Sequence, residues 1–168
     1  MIPVTSTAEI LMWKHLNLNV NERWKAWAYE MLETGFDSEH IIELAGIDYS
    51  ENQFELQELT SKVFDELNLD YVDREKIILD FISFCVNQVL QDKRDLLSTI
   101  QDMKNIYNRL DQNWQLSDFA LLYWAIEDLK YSEVQWYWPE ADRKNINEIV
   151  KNYFKSWRDK ELEDSSSA

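Results

Sequence analysis

Apolar residues recur along this chain three and four positions apart with polar residues between them, the 3.6-residue period of helices that each bury one face. Trp24, Trp27, Ala28 and Met31 predict a helix from Asn21 to Glu33, with Gly35 in the left-handed conformation just past its end. Before it, Ser6 and Glu9 have capping-box spacing and open a helix that carries Ile10, Leu11 and His15. Asp37 is the expected cap of a short helix carrying Ile41, Ile42 and Leu44, stopped by Gly46. From Asn52 to Leu67 the apolar stripe reads Phe54, Leu56, Leu59, Val63, Phe64 and Leu67, with Glu51, Glu55 and Glu58 on the opposite face. Asp73 caps a longer element, Arg74 to about Gln91; its interior IILDFISFCVNQVL is apolar on nearly every side and is expected to be the central, most buried helix. Leu96, Leu97, Ile100, Met103, Ile106, Tyr107 and Leu110 mark the next helix, ending near Arg109. Ser117 or Asp118 can cap the one after, which carries Phe119, Leu122, Tyr123 and Ile126.

The period breaks at YSEVQWYWPE, Tyr131 to Glu140. Pro139 cannot continue a helix and pushes Trp138 towards extended backbone, so this stretch reads as a loop, or Pro139 occupies the first turn of the last helix. That helix runs on through Ile146, Ile149, Val150, Tyr153, Phe154 and Trp157. Two glycines and two prolines, where average usage gives roughly 12 and 8, leave too little punctuation for a sheet-rich fold. The pattern predicts an all-α, single-domain bundle of about seven or eight helices with short loops, spanning residues 1–162, and a frayed tail over 163–168.

Charge narrows the function. Thirty-two acidic against 17 basic side chains leave a formal −15, which repels phosphate backbones and anionic membranes, so neither nucleic acid nor a membrane is an expected partner. MIPVTSTAEI has no basic region followed by an apolar stretch, and no uncharged apolar run reaches membrane-spanning length. The lone Cys85 cannot form an internal disulfide; a reducing, cytoplasmic setting is expected.

The residues offer little for catalysis. Asp37 and His40 have helical ligand spacing, but zinc takes at least three protein ligands and no second histidine-carboxylate pair accompanies them, as a di-iron bundle would require. Cys85 sits among Phe81, Phe84 and Leu90, which blunts a thiol, and a pairing with His15 or His40 has no local support. Carboxylate pairs such as Glu55 with Glu58, or Asp65 with Glu66, are too abundant here to signal an acid and base. No catalytic residue, metal ligand or cofactor is assigned.

Two features stand out. Asp37 to Glu75 holds twelve acids against Lys62 and Arg74, and twelve minus two gives −10, two thirds of the net charge. This self-repulsion opposes folding and would suit a cationic protein partner. Second, Tyr123, Trp124, Tyr131, Trp136, Tyr137 and Trp138 fall within sixteen residues. Aromatic rings with a polar tip suit interface anchors; alternatively Trp136 and Trp138 fold back over the bundle.

The run WKAWAYEMLETGFDSEHIIELAGIDYSENQFELQELTSKVFDELNL, Trp24 to Leu69, resembles a loosely defined group of small helical bacterial proteins. Gly35, Asp37 with Ser38, the stop Leu44, Ala45, Gly46 and the closing Glu66, Leu67 carry the resemblance; the chain departs from the group at QDKRDLL, 91–97. Some members belong to toxin-immunity loci, including those of contact-dependent growth inhibition. The resemblance thus implies an immunity or antitoxin protein that binds a cognate toxin, with a basic nuclease as the expected target. Glu51, Glu55, Glu58 and Asp65 are the candidate contact charges, and Trp136 and Trp138 the candidate aromatic anchors. A helical adaptor or regulatory subunit is the second reading and an enzyme of unrecognised type the third. Oligomeric state is open at this level.

Overall fold

Helix ends govern this fold, because each leaves backbone groups that must find partners outside the helix. The chain was described from a computed structural model that defines residues 3–50 and 52–166, with the side chains of 164–166 outside the description. Among the described residues there are eight α-helices and no strand: α1 Thr7–His15, α2 Glu22–Glu33, α3 Glu39–Gly46, α4 Gln53–Glu66, α5 Arg74–Leu90, α6 Leu96–Arg109, α7 Ser117–Tyr131 and α8 Ile146–Ser166. A 3-10 turn, Trp114–Leu116, leads into α7. The all-α class expected from the apolar period is what forms.

Five of these helices end in one way. A residue with positive φ follows the helix, and the N–H after it donates back to a carbonyl five residues earlier. In α2 the residue is Gly35 (φ 90°), and Phe36 N donates to Met31 O at 3.0 Å. Elsewhere asparagine or aspartate takes the place of glycine: Asn17 (φ 50°) after α1, Asn68 (52°) after α4, Asp92 (55°) after α5 and Asp111 (52°) after α6. The closing bonds are Leu18 N to Trp13 O at 3.0 Å, and Leu69 N to Phe64 O, Lys93 N to Gln88 O and Gln112 N to Tyr107 O, each at 2.9 Å. Short polar side chains tolerate the left-handed region best among non-glycine residues, which is how a chain with two glycines turns so often.

At the N-termini the same residue types work as acceptors. Asn21, Asn52, Asp73 and Asp95 accept from Arg23 N, Phe54 N, Lys76 N and Ser98 N at 3.0, 3.0, 3.1 and 2.8 Å. Three expected caps do not form. Ser6 is itself in helical conformation and its hydroxyl donates to the Glu30 carboxylate, while Glu9 turns to Arg23, so the capping box is absent. Ser38, not Asp37, precedes α3. The 3-10 turn, capped by Asn113 on Gln115 N at 2.9 Å, removes the need for a cap at Ser117, and Asp118 instead accepts from the Tyr153 hydroxyl at 2.9 Å.

The contacts group the chain into two compact units, Met1–Phe81 and Ile82–Ala168. The core of the first is aromatic: Trp24 stacks on Phe64 with centroids 6.0 Å apart, and Trp27 meets both edge-on, at 6.5 and 5.9 Å. Ile10, Met12, Ile41, Leu44, Leu56 and Val63 are buried with them, and the Trp27 indole N–H donates to Thr7 Oγ1 at 3.0 Å. Beside this core, Arg23 bridges Glu9 on α1 at 3.1 Å and Glu30 on α2 at 2.8 Å. In the second unit Phe119 meets Tyr153 and Phe154 edge-on at 5.3 and 5.5 Å, with Met103, Leu122, Ala125 and Val150 also buried.

Helix α5 departs from expectation. It buries one stripe, Ile77, Ile78, Phe81, Ile82, Cys85, Val86 and Val89, while Leu79 is exposed and Phe84 only half-buried, so its apolar character exceeds what it hides. Pro139 lies in the loop 132–145 rather than in the first turn of α8, and α8 continues through Ser166.

Two predictions follow the local chemistry. Asn68→Ala places a β-carbon without a hydrogen-bonding side chain in the left-handed region and is expected to lower stability by about 1 kcal/mol. Asn68→Gly is expected to leave stability nearly unchanged; urea denaturation compares the two. For Glu30, burial favours the neutral acid, but the Ser6 hydroxyl and Arg23 guanidinium outweigh it and hold the carboxyl below its ordinary 4.5. A folded value below the unfolded one stabilises fully above about pH 4.5 and is lost as pH falls through the folded value. Thermal melts between about pH 3 and 6 should show this loss in the native chain and a flatter dependence in Glu30→Gln.

Candidate functional site

Helix α4 is built by a stripe at 56, 59, 60, 63 and 64, all buried, which turns the positions between them outward. Phe54 precedes Leu56 by two residues, about 200° round the helix. It therefore leaves the stripe, contrary to the sequence expectation, and is 69% exposed. Glu55, Glu58 and Asp65 are exposed, with Lys62 among them; Glu51 lies outside the described residues.

The acids of this region divide by use. Asp48 accepts from Ser50 N at 2.9 Å, and Asp70 from Val72 N at 2.9 Å and Asp73 N at 3.2 Å; these backbone donors hold both carboxyls below the ordinary range. Glu66 is held down by the Ser38 hydroxyl and by His40, whose Nδ1 lies 2.5 Å away. Asp65 accepts from the Tyr71 hydroxyl at 3.3 Å. Neither Glu55 nor Glu58 has a hydrogen bond or ion pair among the described residues.

On the flank of α4, two glutamines tie down the segment between α1 and α2. Gln53 accepts from Val20 N at 2.8 Å and donates to Val20 O at 3.1 Å, and Gln57 Nε2 donates to Leu18 O at 2.6 Å. Lys14 Nζ is surrounded by neutral oxygens: Thr60 Oγ1 and Ser61 Oγ at 2.8 Å, Gln57 O at 2.9 Å and Gln57 Oε1 at 3.1 Å. Its burial lowers the lysine pKa, an effect that Asp65 partly opposes. These residues floor a groove of about 430 Å³ rimmed by Phe54, Glu58, Asn17 and Asn19. Sequence reasoning missed this groove. The 54-to-56 spacing was a readable signal for Phe54; the pinning glutamines gave none.

The aromatic candidates separate. Trp138 is half-buried, edge-on to Tyr153 at 5.4 Å, while Tyr137 leans on Trp124 at 5.6 Å. Burial raises the Tyr153 pKa, and the bond to Asp118 adds to it. Trp136, which precedes the two pinned rings in the chain, is 89% exposed. Its loop is tightly bonded. Gln135 Oε1 accepts from Tyr137 N and Trp138 N at 2.9 and 2.8 Å, and Gln135 Nε2 donates to Trp138 O and Ala141 O at 2.6 and 3.0 Å. Arg143 Nε donates to Leu129 O at 2.7 Å, tying the loop to the end of α7. Trp138 therefore folds back, and Trp136 projects.

The remaining candidates for chemistry are dispersed. Among the described residues no three His, Cys, Asp or Glu side chains come together as a metal site, and His40 faces Glu66. Cys85 is buried, with Arg94 Nη1 3.6 Å from its sulfur. No described helix is long and apolar enough to cross a membrane. No protein-family model, curated protein or solved structure matches the chain.

The two tryptophans should separate in stability. Trp138→Ala removes a packed ring and is expected to cost about 2 kcal/mol, less than a fully buried tryptophan would. Trp136→Ala is expected to stay within about 0.5 kcal/mol of the native chain in chemical denaturation.

Proposed function

We propose that this chain is an acidic protein-binding module, an immunity or antitoxin protein that neutralises a cognate toxin by direct binding, with a basic nuclease as the toxin. The observation that carries this reading is the pair Glu55 and Glu58, exposed and unpaired on a helix whose neighbouring acids are mostly engaged. Repulsion among them costs folding energy that a cationic partner would recover. In this reading α4 occupies the nuclease's phosphate-binding cleft, with Asp65 extending the row, and the resemblance over Trp24 to Leu69 points the same way.

Trp136 serves as an aromatic anchor because its loop is already ordered, so binding loses little further entropy. Trp138 holds that loop in place. The chain acts by occupying its target, without catalysis of its own, and works in the cytoplasm where a toxin would meet it.

The test is co-expression with the product of the adjacent gene, affinity capture, and assay of the captured protein's nuclease activity with and without this chain. Reversing charge in Glu55→Lys/Glu58→Lys is expected to slow association about tenfold and flatten its salt dependence, with folding intact by circular dichroism. An association rate that does not move would remove α4 from the interface.

A further inference from the structure

We infer that the groove beside α4 is a receptor for an arginine side chain of a protein partner, with Phe54 and Glu58 as its recognition pair. The inference rests on the protein-binding reading and specifies what the partner presents. It follows from which groups in the groove are already engaged and which are free.

The floor is engaged. Gln53 gives both ends of its amide to Val20, and Gln57 gives its own to Leu18 and Lys14. An ammonium has three donors, and those of Lys14 are met by neutral oxygens, one of them the hydroxyl of fully buried Thr60. The lysine charge is thus drawn inward under α4 and is a poor receptor for an anion, which the Glu58 carboxylate on the rim would also repel.

The rim is free. Phe54 and Glu58 are four residues apart on α4, so an exposed ring and an unpaired carboxylate stand side by side on one helix face. Across the groove, the side-chain amides of Asn17 and Asn19 make no hydrogen bond among the described residues. A flat ring, an anion and two amide acceptors match a guanidinium, which stacks on an aromatic face while its planar N–H fork bonds a carboxylate. A lysine ammonium could satisfy the charge but would lose the stacking. The excess of acids from Asp37 to Glu75 favours a cationic occupant, and the volume of about 430 Å³ accommodates one long side chain.

The test titrates the full chain with N-acetyl-arginine N-methylamide and with its lysine counterpart, followed by ¹⁵N-resolved NMR. The arginine compound is expected to shift the side-chain amides of Asn17 and Asn19 and the backbone of 54–58 saturably, and to bind about threefold more tightly than the lysine compound. Phe54→Ala and Glu58→Gln should each weaken it about threefold, whereas Glu43→Gln, an exposed acid on α3, should not. Equal response to both compounds, or perturbation indifferent to Phe54→Ala, would reduce the groove to general charge attraction and overturn the inference. If a basic toxin is captured and both groove variants dissociate from it at the native rate, the groove fails and the immunity reading stands. If arginine saturates the groove but no toxin is captured, the reverse holds.

Discussion

A chain made of short helices is constrained first by its helix ends. Every terminus leaves carbonyls or N–H groups without helical partners, and burying them unsatisfied would cost more than a small domain can spare. Here the answer is a left-handed residue after five helices, glycine once and asparagine or aspartate four times. Strain at those four positions is the cost of turning without glycine, and the backbone bond across each turn offsets it. The same side-chain chemistry caps the other end, at Asn21, Asn52, Asp73 and Asp95. Part of the acidity of this sequence is therefore structural: Asp48, Asp70, Asp73, Asp95 and Asp142 are engaged locally with backbone N–H groups.

That division gives the remaining acids their meaning. Asp48, Asp70 and Glu66 are held ionised by donors within the fold, so their charge has a stabilising role at neutral pH. Glu55 and Glu58 have no hydrogen-bond or ion-pair partner of this kind among the described residues. The buried stripe of α4 leaves them outward together with Phe54, while Gln53, Gln57 and Lys14 on its flank hold the adjoining segment at a fixed distance. The proposed interface uses this hydrogen-bonded floor and uncommitted rim.

The aromatic loop repeats this economy with other means. Tyr137 and Trp138 are fixed against Trp124 and Tyr153, and Gln135 closes the backbone around them. The ring just before them, Trp136, stays exposed. Two tryptophans separated by a single residue thus play opposite parts, Trp138 anchoring the loop and Trp136 projecting from it.

The helix period, scarcity of glycine and proline, and cap residues made the fold class and most helix boundaries legible in the sequence, because they act over a few residues and need no distant partner. The surplus of acid was equally legible, being a sum. Contacts between distant positions decided the rest. Ser6 left its capping box for Glu30, and Asp118 left its cap for Tyr153, because a partner brought close by folding outcompeted a local backbone donor. Helix α5 hides one face only because burial depends on what packs against it as well as on its own apolar content. Which carboxylates stand free, which tryptophan projects and where a groove opens were decided by tertiary structure alone, since each depends on residues tens of positions apart meeting or failing to meet.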